Sequence, residues 1–345
     1  MVNLMKCHLK FKRLRDYLQF FGRFLIILKM NAMKRLITYI VILLLILPAC
    51  TKLSDNKGSR FLLAGIKGSK GSEIVCINVD SGLVVNTTPI DCYVFGSTVY
   101  DPKSGGYGYV NCDSVFVLVN PETGKLMKSV KLPGFVSQSV IDIKNNMLIG
   151  MYTVITYGEQ PDSTGSKSVR DGPPIYTNYI IKIDLAKETI VSEKEIDIGE
   201  GVYMCTSYFN QADKGYVMLR ADKTLITINP STGAVVKEVH VGKVLTNPVY
   251  YSVNNTIIGL YYSDANERNY LEVINTETGS VISSIILGQE KGYIACLSGY
   301  DPESNCYITV NSDYKVLFYD ITSGEIKKTY MLDDPMNDIK FWRKE

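Results

Sequence analysis

The chain has 345 residues, with 37 Lys and Arg against 35 Asp and Glu for a formal net charge of +2, and 46% of it is hydrophobic. Nine of the basic residues but only Asp16 among the acids fall in residues 1–49, so from residue 50 onward 28 basic face 34 acidic side chains, a net of −6. That balance argues against a nucleic-acid partner, which needs clustered Lys and Arg, and His240, the single histidine beyond residue 49, leaves Ser-His-Asp and Cys-His catalysis and multi-histidine metal sites nearly without ligands.

Residues 1–29 are basic, with an apolar patch at Phe20–Leu28, and Met30 and Met33 follow. The simplest reading makes 1–29 an upstream extension ahead of the true start; the alternative is a longer, two-part leader. Met33-Lys34-Arg35 then supplies a charged front, Leu36–Leu47 an apolar run, and Ala49 a small residue before Cys50. This is the layout of a secretory signal, and the run is shorter than the roughly 20 residues a lone spanning helix needs. The stretch Leu47-Pro48-Ala49-Cys50 resembles the lipobox of bacterial lipoproteins. The resemblance implies cleavage before Cys50, lipid on its sulfur, and a membrane as partner through that lipid. Residues 30–49 are then the signal, 50–59 a tether and 60–345 the folded domain. Thr51 stands where an Asp would favour inner-membrane retention, so the resemblance points to the outer membrane. The tether Lys52-Leu53-Ser54-Asp55 leaves periplasmic and surface display both open.

From residue 60 onward the chain repeats. Asn78-Val-Asp-Ser-Gly82 recurs as Asn120-Pro-Glu-Thr-Gly124, Asn229-Pro-Ser-Thr-Gly233, Asn275-Thr-Glu-Thr-Gly279 and Asp320-Ile-Thr-Ser-Gly324, with Asp184-Leu-Ala-Lys-Glu188 as a copy lacking the glycine. The Asn/Asp positions are spaced by 42, 64, 45, 46 and 45 residues. Apolar runs such as Val115–Val119 precede each copy and alternating runs such as Leu126–Leu132 follow it, which is a hairpin pattern. The Asn or Asp side chain bonds its own backbone two residues on, and Gly takes the left-handed position. Two further strands precede each hairpin, as at Tyr293–Tyr300 and Tyr307–Asn311. Four strands per roughly 45 residues predict the blade of a β-propeller. The fold expected is all-β, with six four-stranded antiparallel blades. The first blade lacks its opening strand, and the tail Asn337–Trp342 is expected to supply it and close the ring, which removes an open edge.

These N/D-x-x-S/T-G turns resemble the PQQ-like and YVTN-like families of propeller repeats. The resemblance spans about residues 60–343 and implies the fold. The tryptophan that follows the turn in PQQ-type repeats is missing, Trp342 being the only one, so no quinone and no other cofactor is expected. Joined to the lipobox, the repeats look like the propeller lipoproteins of Bacteroidota. They are also similar to the eight-bladed propeller lipoprotein of the outer-membrane barrel-assembly machinery.

Beyond Cys50 lie Cys76, Cys92, Cys112, Cys205, Cys296 and Cys306. None makes a C-x-x-C pair, so no metal knuckle is expected. Cys92 and Cys112 flank the turn at Asp101–Ser104 and can bridge across a hairpin; the others are expected to be buried free thiols.

Ligands are expected on the face that carries the blade connections, where loops vary and converge. The spacing of 64 marks an insertion in the third blade, about Thr156–Thr177, holding Tyr157 and Arg170; the fifth blade has a smaller one, Ser263–Asn269, with Arg268. The connections contribute Lys243, and Tyr93, Phe135, Tyr203 and Tyr293 open inner strands just after them. Amphipathic rings around a mouth can stack a sugar, a macrocycle or a peptide. The leading expectation is a non-catalytic binding or scaffold protein of the envelope, taking a solute or docking a protein. The alternatives are a lyase or hydrolase on glycans or lactones, with acids at Glu200, Glu290, Asp333 and Asp334, or an outer-membrane assembly scaffold.

Overall fold

The computed structural model describes residues 60–68, 73–157, 160–161, 167–168, 174–199, 201–251, 254–288 and 292–344. Cys50 and Arg170 lie outside the described residues, as do Glu200 and Glu290. Six four-stranded antiparallel sheets make a β-propeller.

Blade 1 consists of β1 (Arg60–Lys67), β2 (Glu73–Asn78) and β3 (Leu83–Pro89), with β26 (Met336–Lys344) as its innermost strand. Blade 2 is β4 (Val99–Asp101), β5 (Gly106–Val110), β6 (Val115–Val119) and β7 (Leu126–Lys131). Blade 3 is β8 (Ser137–Asp142), β9 (Met147–Tyr157), β12 (Pro174–Asp184) and β13 (Thr189–Ile196), with a two-stranded ribbon, β10 (Gln160–Pro161) and β11 (Lys167–Ser168), between β9 and β12. Blade 4 is β14 (Tyr208–Asn210), β15 (Gly215–Leu219), β16 (Thr224–Ile228) and β17 (Val235–His240). Blade 5 is β18 (Thr246–Tyr251), β19 (Thr256–Ser263), β20 (Arg268–Asn275) and β21 (Val281–Ile286). Blade 6 is β22 (Tyr293–Asp301), β23 (Cys306–Asn311), β24 (Lys315–Asp320) and β25 (Ile326–Met331). The ring closes as the sequence predicts: β26 pairs with β1 from Arg60↔Lys344 to Lys67↔Met336.

The central strands of each blade bury both faces, which is why they read as continuous apolar runs rather than alternating ones. Leu62 packs between blades 1 and 2, and its neighbour Leu63 turns to the cluster between blades 6 and 1. In the same way Leu148 faces blade 2 and Ile149 faces blade 4. Six such clusters among the described residues fill the six gaps between blades. Truncating one of these buried aliphatic side chains to Ala costs about 2–5 kcal/mol.

The repeated turn does two things. Asn120 Oδ1 accepts the amides of Glu122 and Thr123 while the Gly124 amide reaches the Asn120 carbonyl, and Asn275 and Asp320 repeat the arrangement. The turn glycine also leans on the preceding blade. At Gly279, with φ of +71°, an added Cβ would overlap the His240 carbonyl oxygen at the end of β17. Glu188 holds the corresponding left-handed place in blade 3, with φ of 56°, and Lys128 of blade 2 reaches it at 3.9 Å.

The insertion in blade 3 starts later than the sequence suggests. β9 and β12 stay paired out to Tyr157↔Pro174, because Val154, Ile155, Thr156, Ile175 and Thr177 are strand formers. The described base of the excursion is a paired arm carrying exposed Ile155, Tyr157, Ile175 and Tyr176.

Candidate functional site

In each blade one residue of the inner segment departs from extended geometry: Gly96, Gln138, Cys205, Asn247, Cys296 and Asp338 all have positive φ, between 51° and 73°. The ladder is interrupted there, with register shifts between Ser137 and Val140, Thr246 and Val249, and Tyr293 and Ser298. A left-handed non-glycine residue costs about 1–2 kcal/mol and persists only where its surroundings hold it.

Here the surroundings are a ring of hydrogen bonds with a two-blade period. Asp338 Oδ2 accepts the Gly96 amide at 3.1 Å, Asn247 Oδ1 accepts the Cys296 amide at 2.6 Å, and Gln138 Oε1 accepts from Ser207 Oγ at 2.8 Å. Each of these three residues also offers its carbonyl to a fully buried tyrosine of the next blade. Tyr107 donates to Asp338 at 2.7 Å, Tyr216 to Gln138 at 2.8 Å and Tyr307 to Asn247 at 2.7 Å. Buried hydroxyls need such partners. The propeller is thus a pseudo-threefold array of blade pairs, with Gly96, Cys205 and Cys296 as the innermost corner of each pair.

Two of those corners are bonded. Cys205 of blade 4 and Cys296 of blade 6 form a disulfide across the ring, with Cα atoms 5.2 Å apart and 91 residues between them. This corrects the expectation of free thiols at both positions; the chain distance hides a contact that exists only once the ring has closed. Gly96 supplies the third corner, where an added Cβ would lie 3.6 Å from Cys205 Sγ. The disulfide obstructs the channel. Cys92 and Cys112 form a second disulfide, while Cys76 and Cys306 are free and buried; burial pushes the Cys76 thiol up to about 12.

A cavity of about 180 Å³ lies on one side of this plug. Its walls come from five of the left-handed residues, all but Asn247, and from residues one to three places after the six, among them Thr98, Ser139, Ser207, Ser298 and Lys340. Inner strands run away from the blade connections, so the cavity lies on the side of the tight hairpins. The sequence points to the opposite, connection face, where most of the candidate residues are found.

On that face a cleft of about 570 Å³ over blade 5 brings Arg268 and Tyr293 together with Thr246, Leu260, Tyr262 and Ile286. Tyr293 also shares a hydrogen bond of 2.9 Å with the Tyr319 hydroxyl. Phe135 and Tyr203 are exposed in other connections, and Tyr157 is exposed at the end of the arm. Tyr93 is half-buried against the cluster between blades 1 and 2; burial, then the Asp338 charge, raises its phenol. Lys243 is engaged structurally: its Nζ lies 2.6 Å from Oε1 of Glu272, which is wholly buried, and 4.7 Å from the Tyr261 ring centre. Asp334 pairs with Lys67 at 2.8 Å. No three His, Cys, Asp or Glu side chains among the described residues gather as a metal site would require.

Neither the ring of left-handed residues nor the cross-channel disulfide is among the expectations drawn from the sequence. Their signal is present. Gly96, Cys205 and Cys296 each precede a tyrosine by 11 residues, and both Cys205–Cys296 and Asn247–Asp338 span 91 residues, the period of a blade pair.

The fold and these faces define the class of protein: a six-bladed β-propeller with an obstructed channel. No protein-family model matches the chain, and no curated protein does. Among solved structures it is similar to the dihydro-heme d1 dehydrogenase NirN in complex with DHE, at 13% identity and a TM-score of 0.46 over 79% of this chain and 54% of that one. The chain thus spans about half of that protein. It is also similar to AztD of Citrobacter koseri, at 8% identity and a TM-score of 0.49 over 83% of this chain and 99% of that one.

Proposed function

We propose that this is a lipid-anchored envelope propeller that binds without catalysis, taking a solute or a protein partner on its connection face. The observation that carries the reading is the cleft over blade 5, where Arg268 and Glu267 stand among Tyr262, Tyr293 and aliphatic side chains. A charge of each sign among amphipathic rings suits a sugar or a peptide segment, with Arg268 taking its acidic group. The anchor is read from Cys50 in Leu47-Pro48-Ala49-Cys50, which also supports an outer-membrane location of the Bacteroidota lipoprotein type. Arg60 begins β1 at the hairpin side, opposite Lys344.

The paired arm of blade 3 supports a second reading, an assembly scaffold. Ile155 and Tyr176 face each other across the ladder, as do Tyr157 and Pro174, so one side of the arm is an exposed apolar strip suited to a protein.

Two measurements test the proposal. A clickable fatty acid fed to cells should label the wild-type chain and not Cys50→Ala; equal labelling removes the anchor. Capture from detergent-solubilised envelope, together with a thermal-shift screen of acidic sugars and peptides, should give a partner or ligand that Arg268→Ala weakens about tenfold. No ligand and no partner, or binding indifferent to Arg268, refutes the binding reading.

A further inference from the structure

The cavity on the hairpin side of the disulfide holds an unneeded charge and an unsatisfied hydroxyl. The pseudo-threefold explains three of its other hydroxyls. Two residues after the innermost corners Gly96, Cys205 and Cys296 come Thr98, Ser207 and Ser298, three hydroxyls around the axis. Two residues after Gln138 and Asn247 come Val140 and Val249, but two residues after Asp338 comes Lys340. The fold is therefore content with valine at this place, and the lysine breaks the repeat.

Nothing in the ring uses that ammonium. Asp338 acts on it through space, but its own carboxylate is occupied, Oδ2 by the Gly96 amide at 3.1 Å and Oδ1 by the Thr98 hydroxyl at 3.2 Å. Among the described residues no hydrogen bond or ion pair reaches Lys340 Nζ. Burial lowers the Lys340 ammonium from its ordinary value and raises the Asp338 carboxyl, each opposed by the other's charge. Ser139, only 9% exposed and also lining the cavity, has a hydroxyl with no partner. Such a group costs about 1–3 kcal/mol unless something satisfies it. One wall is apolar: Tyr208 and Tyr250 stack with ring centres 4.1 Å apart beside Pro248 and Val249.

We propose that this cavity is a binding site for a small organic acid with a short apolar body, its carboxylate on Lys340 Nζ and the Ser139 hydroxyl and its body against Tyr208 and Tyr250. The volume of about 180 Å³ sets the size, since a cavity of about 150 Å³ takes up benzene. A compact inorganic anion would use the ammonium but leave the apolar wall bare. This site is independent of the cleft over blade 5, which lies on the other face.

The test is calorimetric titration of the full chain with acetate, benzoate, benzamide and inorganic phosphate. Benzoate is expected to bind saturably at one site, with acetate weaker and benzamide and phosphate weaker still by about tenfold or more. Lys340→Val installs the residue that blades 3 and 5 already carry, so it should fold, and it should weaken benzoate by about tenfold or more; Ser139→Ala should weaken it several-fold. No saturable binding of either acid, equal binding of benzamide, preference for phosphate, or benzoate binding unchanged in Lys340→Val would each overturn the proposal. The acid-against-amide comparison uses the unaltered chain and stands even if a variant fails to fold.

Discussion

Lys243 illustrates how one side chain serves the fold from a position that reads as a ligand site. Its partner Glu272 is wholly buried, with Oε1 also accepting from Ser284 Oγ at 2.8 Å and Oε2 without a partner. Removing one member of a buried ion pair leaves the other charge uncompensated, at about 3–5 kcal/mol. Because Lys243 keeps 29% of its side chain exposed, Lys243→Met should cost about 3 kcal/mol in urea unfolding, toward the lower end of that range. A change within about 0.5 kcal/mol, as for an ordinary surface site, would return Lys243 to the candidate ligands. The sequence placed Lys243 in a blade connection, and there it lies. Its partner, 29 residues on in the third strand of blade 5, was not legible, because a strand pattern gives the side of the sheet a residue faces and not which loop will fold over it.

Among elements, the closing strand carries the clearest electrostatic tie. Arg343 of β26 donates to both oxygens of Asp301, at the end of β22, and lies 3.0 Å from Glu303. Burial alone would raise the Asp301 carboxyl, but the Arg343 hydrogen bonds, with Ser304 and the Arg343 charge, hold it below the ordinary carboxylate value. A carboxyl depressed by folding stabilises fully above the unfolded value of about 3.9. That contribution fades as the pH falls through the lower, folded value. Arg343→Met should therefore cost about 1–3 kcal/mol at neutral pH, and the gap from wild type should narrow as unfolding is measured from about pH 4 downward. A gap independent of pH would mean that Arg343 acts by packing over Phe61, 5.5 Å away, and not by charge. The turns were the most legible elements: N-x-x-x-G fixed both the hairpins and their spacing near 45 residues. That regularity also masked the longer period, because the alternation of Gly96, Cys205 and Cys296 with Gln138, Asn247 and Asp338 shows only when blades are compared two at a time.

For the whole molecule, the two disulfides differ in what they restrain. Cys92–Cys112 closes a separation of 20 residues within one neighbourhood, whereas Cys205–Cys296 closes 91 and ties non-adjacent blades. Chain-entropy reasoning gives about 3 kcal/mol for a short loop and about 4–5 kcal/mol for one near 100 residues. Replacing Cys205 and Cys296 together by Ala should thus lower the melting temperature more than replacing Cys92 and Cys112. Equal losses, or none, would show that β26 and the six apolar clusters already do all that the cross-channel bond could add.

The pairing of β26 with β1 also sets a timetable for biosynthesis. β26 is made after every other strand of the ring, yet it covers the inner edge of the first one. At about 5–20 residues per second, Leu62, Leu63 and Ala64, which are wholly buried in the finished ring, wait roughly 15–60 s for their neighbour. Throughout that interval the nascent chain presents an unpaired, apolar strand edge that is open to a neighbouring copy. Yield in cells should thus depend more on escorting chaperones than the stability of the completed ring would suggest.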